Sequence, residues 1–343
     1  MLFLAIASTL LVLGGAQAAP SLGLSVEGPS SVQGVDNFKI TTTLKNTGDE
    51  TLTLYADPRS ALSSFPANSF VVTGASGASV PFVGARAKYL FKDAKNFVVL
   101  APGESRTTNH DLSASYNFTQ AGDYDIEAVN LFHYQDPSGN PVAITADAPS
   151  HLTAKLTGNL VSSIVAKRSM RNYNRASYTS CSSSRRTTIA AALPVVKTYV
   201  NNAVNYLSSH SSATPRYTTW FGTYSSSRKN TVLTHFQRIK SSDPSTYRYD
   251  CSCTEDDTYA YVYPNTFGVI YLCDIFWQTT TSGTDSRAGT IIHEASHFTA
   301  NGGTQDYAYG QTNARALARS SPSKAIMNAD SHEYFAENTP SLS

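Results

Sequence analysis

The stretch Asp285-Ser-Arg-Ala-Gly-Thr-Ile-Ile-His293-Glu294-Ala-Ser-His297 decides how this chain is read. It predicts a helix that Asp285 can cap, and the four-residue spacing places His293 and His297 on one face. Two imidazoles so placed can hold one zinc ion, with Glu294 directed at the metal's open position. The alternative is a helix that merely carries polar residues at its surface. A catalytic zinc takes a third protein ligand and keeps a fourth position for water. A continuation with a further glycine and histidine is excluded, because Ala300 and Gly303 occupy those places. The chain instead reads Gly302-Gly-Thr-Gln-Asp306-Tyr-Ala-Tyr309-Gly310. The paired glycines allow a sharp turn after the helix, so that Asp306 can reach back as the third ligand. Glu333 is the rival for that role.

Around this motif the second half reads as an α+β domain. Ile189, Leu193, Val196, Tyr199, Val200, Ala203, Val204 and Leu207 recur at helical spacing, with Pro194 as an expected kink. A further helix is predicted over 225–240, and strands over 247–251, 259–263 and 269–273. Residues 19–160 differ in texture. Short alternating bursts such as Phe38-Lys-Ile-Thr-Thr-Thr-Leu44 and Tyr124-Asp-Ile-Glu-Ala-Val129, parted by Gly, Pro, Asn and Asp, predict an antiparallel β-sandwich. Between the halves lies Lys167-Arg-Ser-Met-Arg-Asn-Tyr-Asn-Arg175, a basic run that reads as a processing junction. The expected division is a signal peptide at 1–18, a β-rich propeptide at 19–176 cut near 167–176, and a catalytic domain at 177–343.

The signal peptide rests on an apolar run at residues 2–13 followed by Ala16-Gln-Ala18, a small-residue cleavage pattern. The run is too short to span a bilayer, and no later segment is long and apolar enough. Secretion to the extracellular space is the expectation, with neither a membrane nor a nucleic acid as partner. The 343 residues carry 26 Lys+Arg against 25 Asp+Glu, which leaves no basic excess for binding phosphates. An oxidising compartment suits the four cysteines, which read as disulfides. A bond between Cys251 and Cys253 would be strained, so Cys181 pairs with one of them and Cys273 with the other. Asn117-Phe-Thr119 is a glycosylation sequon, making Asn117 a candidate acceptor on a surface loop.

The combination of HExxH with Gly303-Thr-x-Asp306-x-x-Tyr309-Gly310 resembles the aspzincin, or deuterolysin, metallopeptidases. The likeness runs over 177–343, and within it the chain is most similar to the fungal peptidyl-Lys branch. The resemblance implies a zincin-like fold, one zinc ion on His293, His297 and Asp306, and Glu294 as general base and then proton donor. It also implies Tyr309 as hydrogen-bond donor to the oxyanion, and the pairings Cys181–Cys251 and Cys253–Cys273. Each role has its own physical basis: zinc brings bound water toward a pKa of about 7 and polarises the carbonyl, and a phenol aimed at a developing oxyanion favours the transition state.

Asp330 and Glu333, three residues apart, share a helix face or turn and make a pocket for one cationic side chain. In the branch resembled, such a pair selects Lys, on whose amino side the bond is cut. An ordinary solvated acidic turn is the alternative. His332, between them, reads as structural. The expected function is thus a secreted, monomeric zinc endopeptidase acting on proteins and peptides, made as a preproenzyme with its own propeptide as intramolecular inhibitor. Lacking cysteine, that propeptide must block the cleft sterically, with a substrate-like Lys or with another ligand. A broader deuterolysin-like specificity and a non-catalytic zinc-containing binding protein are the other readings.

Overall fold

The computed structural model describes residues 19–147, 151–167 and 176–343. The expected signal peptide and nearly all of the basic junction lie outside the described residues. The first half is built of strands β1 (Leu22–Glu27), β2 (Ser31–Gln33), β3 (Lys39–Asn46), β4 (Leu52–Tyr55), β5 (Phe70–Gly74), β6 (Arg86–Tyr89) and β7 (Phe97–Leu100). They continue with β8 (Ser105–Asp111), β9 (Gly122–Ala128), β10 (Leu131–Gln135), β11 (Pro141–Thr145) and β12 (Leu152–Thr157), before a short helix α1 (Ser163–Lys167). Three sheets result, in the orders β1-β3-β8, β11-β10-β4-β7 and β2-β12-β9-β5. Alternation does what the sequence predicts: Leu22, Leu24 and Val26 of β1 and Ile40, Thr42 and Leu44 of β3 face the core. Phe38, Leu54, Ile126, Phe132 and Leu156 lie in that same apolar cluster.

The second half adds β13 (Ser177–Thr179), α2 (Ser183–Ser209), α3 (Pro215–Phe221), α4 (Ser226–Ser242), β14 (Arg248–Asp250), β15 (Thr258–Val262) and β16 (Val269–Leu272). The chain then forms α5 (Asp274–Gln278), α6 (Arg287–His297), α7 (Gly310–Ser320), α8 (Pro322–Ala325) and α9 (Ala329–Glu337). Helix α2 runs on through Pro194 and buries Ile189, Val196, Val200, Ala203 and Leu207 against α4, α6 and α9. Disulfides join Cys181 to Cys251 and Cys253 to Cys273, the pairing the resemblance implies.

One feature joins the halves. Strands β13, β14 and β16 run parallel, β15 is antiparallel to β16, and the outer place beside β15 is filled by β6 from the first half. A simple division at 176 therefore describes the sequence but not the sheet. Asn117 is exposed. Among the described residues no helix is long and apolar enough to cross a membrane.

Candidate active site

Helix α6 carries the histidines, and its start corrects one expectation. Its cap is Ser286, whose hydroxyl accepts from the Gly289 amide at 3.0 Å. Asp285 adopts a positive φ of 53° and turns its carboxylate elsewhere, accepting from the Tyr334 hydroxyl at 2.6 Å. Every residue from Ala288 to His297 is buried, which rules out the surface-helix alternative. Gly289 permits the close crossing with α9, since a Cβ there would lie 2.0 Å from Glu337 Oε1.

After His297 the chain turns through Gly303, at φ 59°, and its amide donates to the Phe298 carbonyl. The turn also places the Thr304 carbonyl 2.9 Å from His297 Nδ1, so that nitrogen is the donor and Nε2 is left facing the cleft. Asp306 follows, with its Oδ1 3.3 Å from both His293 Nε2 and His297 Nε2. These three atoms are buried and have no hydrogen-bond partner. Three converging orphan ligand atoms, two imidazole and one carboxylate, fit a zinc site that leaves a position open. Burial alone would push the Asp306 carboxyl up, but His297 and then His293 hold it well below the usual range.

Glu294 is fully buried and neither of its carboxylate oxygens has a partner. Burial is the largest influence on it and carries its pKa well above the ordinary value. Tyr309 stacks beside His293 at 6.3 Å between ring centroids and donates its hydroxyl to the Ala87 carbonyl at 3.0 Å. Arg59, also from the first half, lies 3.8 Å above the Tyr309 ring.

Helix α9 brings Asp330 and Glu333 to the other side of His293. Asp330 Oδ1 is 2.8 Å and Glu333 Oε2 3.3 Å from His293 Nδ1. Glu333 therefore stands on the nitrogen opposite the candidate metal position, which excludes it as the rival third ligand. The sequence treats the two acids as one lysine pocket; in the structure both also lie on His293 Nδ1, and it is Glu333 that bonds the Lys88 ammonium. Asp330 is engaged with His293 and accepts from the Gly310 amide at 2.6 Å. The ammonium of Lys88, which fills the pocket, hydrogen-bonds to Glu333 and lies 3.6 Å from Asp285. Burial disfavours its charge, but Glu333, Asp285 and, more remotely, Asp330 hold its pKa well above that of an ordinary lysine. His332 points away, as its position between the acids predicts: its Nδ1 contacts the Asn328 carbonyl at 2.9 Å and its ring stacks on His235.

An aspzincin M35 family described as lysine-specific metallo-endopeptidase matches residues 206–337. A peptidyl-Lys metalloendopeptidase of Grifola frondosa is 51% identical over 95% of both chains. That of Armillaria mellea is 52% identical over 95% of this chain and 94% of its own. The chain belongs to the aspzincin M35 metalloendopeptidases. A homologue from Pleurotus ostreatus is 56% identical over 49% of this chain but 99% of its own length. A solved zinc peptidase from Grifola frondosa, 58% identical, covers 48% of this chain and all of its own, with a TM-score of 0.47.

Two site residues of this aspzincin escape a reading of the sequence. Asp285 looks like a helix cap, and only the positive φ before Ser286 turns it into the pocket. Lys88 sits in a four-residue strand whose partner, β15, lies about 170 residues further on; nothing local announces that pairing.

Proposed function

We propose that this protein is a secreted zinc endopeptidase that hydrolyses peptide bonds on the amino side of Lys and is held latent by its first half. The convergence of the orphaned His293 Nε2, His297 Nε2 and Asp306 Oδ1 in a buried cleft carries this reading. Bound there, zinc would supply a Lewis acid that activates water and polarises the scissile carbonyl. Asp330 fixes the orientation of His293 through Nδ1, as carboxylates behind metal-ligating histidines do. Glu294, dry and unpartnered, takes a proton from the attacking water and passes it to the departing amine. Tyr309 donates to the oxygen on which negative charge develops. Glu333 and Asp285 receive the substrate ammonium, two carboxylates against one compact cation.

Latency follows from occupancy of the cleft. Lys88 fills the cation pocket, Ala87 engages Tyr309, and β6 covers the edge of the catalytic sheet. Export fits both disulfides and the exposed sequon at Asn117. The test is a digest of a denatured protein mixture by the full-length, zinc-loaded chain after cleavage at its 167–176 junction. New amino termini are read by mass spectrometry. Chelator-sensitive cuts almost solely before Lys are expected. Chelator-sensitive cuts at mixed residues would remove the specificity and keep the catalytic assignment; folded, zinc-bound protein without activity would leave a binding protein.

A further inference from the structure

The first half does more than cover the cleft, because three independent contacts define the register in which β6 lies. Its backbone pairs antiparallel with the edge strand of the catalytic sheet, Arg86 opposite Val262, Ala87 opposite Tyr261 and Lys88 opposite Ala260. Adding an extended segment to a sheet edge is a general way of holding a peptide. The Lys88 side chain, fully buried, enters the acidic pocket, bonded to Glu333 and passing 4.7 Å from the centroid of Tyr259. The carbonyl immediately before it, that of Ala87, receives the Tyr309 hydroxyl at 3.0 Å.

Pocket and oxyanion donor therefore bracket a single peptide bond. A lysine in the pocket with the preceding carbonyl on Tyr309 is the arrangement demanded of a substrate cut on the amino side of Lys. An inhibitor bound in the reverse direction would place the following carbonyl there. A cavity of about 230 Å³ lined by Ala85, Arg86, Ala87, Asp306 and Tyr309 lies on the Ala87 side of the bond, against roughly 30 Å³ for each water in the liquid. The flanks are anchored on both sides. The Ala85 amide donates to the Pro66 carbonyl at 2.8 Å, and Asp257 accepts from the Lys95 and Asn96 amides at 2.8 and 2.7 Å.

We propose that the first half is bound as a substrate, with Ala87–Lys88 as the bond at the reacting centre, and that the enzyme cuts this bond in its own chain. This rests on the reading of the site as a Lys-directed endopeptidase. In the step, the oxygen of water joins the Ala87 carbonyl carbon and the C–N bond to Lys88 breaks. One proton of the water reaches the Lys88 nitrogen through Glu294 as the bond breaks, and the second passes from the new carboxyl group to the same nitrogen, leaving a carboxylate and an ammonium. The anchors on either side keep both new ends in place, so the first half stays docked after the cut until its junction is also severed.

The experiment follows the purified full-length protein after zinc addition by intact-mass and amino-terminal analysis at several dilutions. A new terminus beginning at Lys88 is expected, formed at a rate independent of protein concentration and ahead of cuts at exposed lysines such as Lys39, whose side chain is 62% accessible. Glu294→Gln and Lys88→Met should abolish that terminus, while Lys39→Met should retain it. A lysine that merely supported packing would give no cut at a buried position, whatever its substitution did to folding. If no Lys88 terminus forms while the junction-cleaved protein cuts added peptides before Lys, the inference is wrong and the function stands. If neither substrate is cut, the reading of the site falls and takes the inference with it.

Discussion

The two halves of the molecule bury different chemistry. Among the described residues of the first half, Lys88 and His110 are the only buried acidic or basic side chains, and Lys88 is buried in the other half's pocket. The second half buries His293, Glu294, His297, Asp330, Glu333 and Glu337 along two crossing helices, and holds both disulfides. A core of alternating apolar strands needs little beyond correct patterning. A core that encloses ionisable groups incurs desolvation costs, and covalent cross-links help to offset them. The first half is built from generic packing; the second carries the buried ionisable groups and the staples.

The largest effect should come from those staples. Opening the Cys181–Cys251 link, which closes a separation of 70 residues, should cost about 4 kcal/mol in the chain-entropy account. Replacing both cysteines by serine is expected to lower the unfolding free energy of the second half by that amount, read as a lower denaturant midpoint, and leave the first half's transition in place. A joint shift would show that the halves unfold as one body and erase the contrast.

The next test separates the buried acids. Asp330→Asn removes the carboxylate behind His293 and should weaken zinc binding by roughly 10–100-fold. Glu333→Gln should chiefly lower kcat/KM for Lys substrates and relax the preference for Lys, with less loss of zinc affinity. Metal titration alongside peptide kinetics reads both. Equal effects of the two substitutions would restore the undivided pocket that their spacing suggests.

The smallest effect concerns the first half alone. Burial pushes His110 down to about 4, whereas an unfolded histidine titrates near 6.5. The unfolded chain then binds the extra proton, so this contribution to stability is complete above about pH 6.5 and is lost progressively toward pH 4. The melting temperature of the first half's transition should fall across that window, and His110→Gln should flatten the fall. Equal slopes in both proteins would locate the acid sensitivity elsewhere.

Much of this was legible in the sequence because the signals are local. His293, Glu294 and His297 share a helix turn, and the glycines ahead of Asp306 announce the return of the chain. The spacing of Ile189, Val196 and Val200 gives α2, and the alternation in β3 gives its inward face. What stayed hidden depends on distant partners. Arg86-Ala-Lys-Tyr89 is too short to declare itself as the edge of another half's sheet. The spacing of Asp330 and Glu333 places them on one face of α9, but only the crossing of α6 sets both against His293 and leaves Glu333 in reach of the ammonium. Asp285 left its capping role because Ser286 supplies a better-placed hydroxyl.

Under the proposed release of the first half, strand β15 has a consequence for how the enzyme chooses among proteins. Without β6, Thr258–Val262 would present a bare row of amides and carbonyls, about 17 Å long at the usual rise of a strand. A lysine can be reached only where its neighbours are able to lie straight along that row. Lysines wound into helices or pinned in tight turns offer no such length until their surroundings unravel. The pace at which a folded protein is cut is then governed by local opening of its structure, and lysines in loose tails are consumed long before their more numerous counterparts in helices.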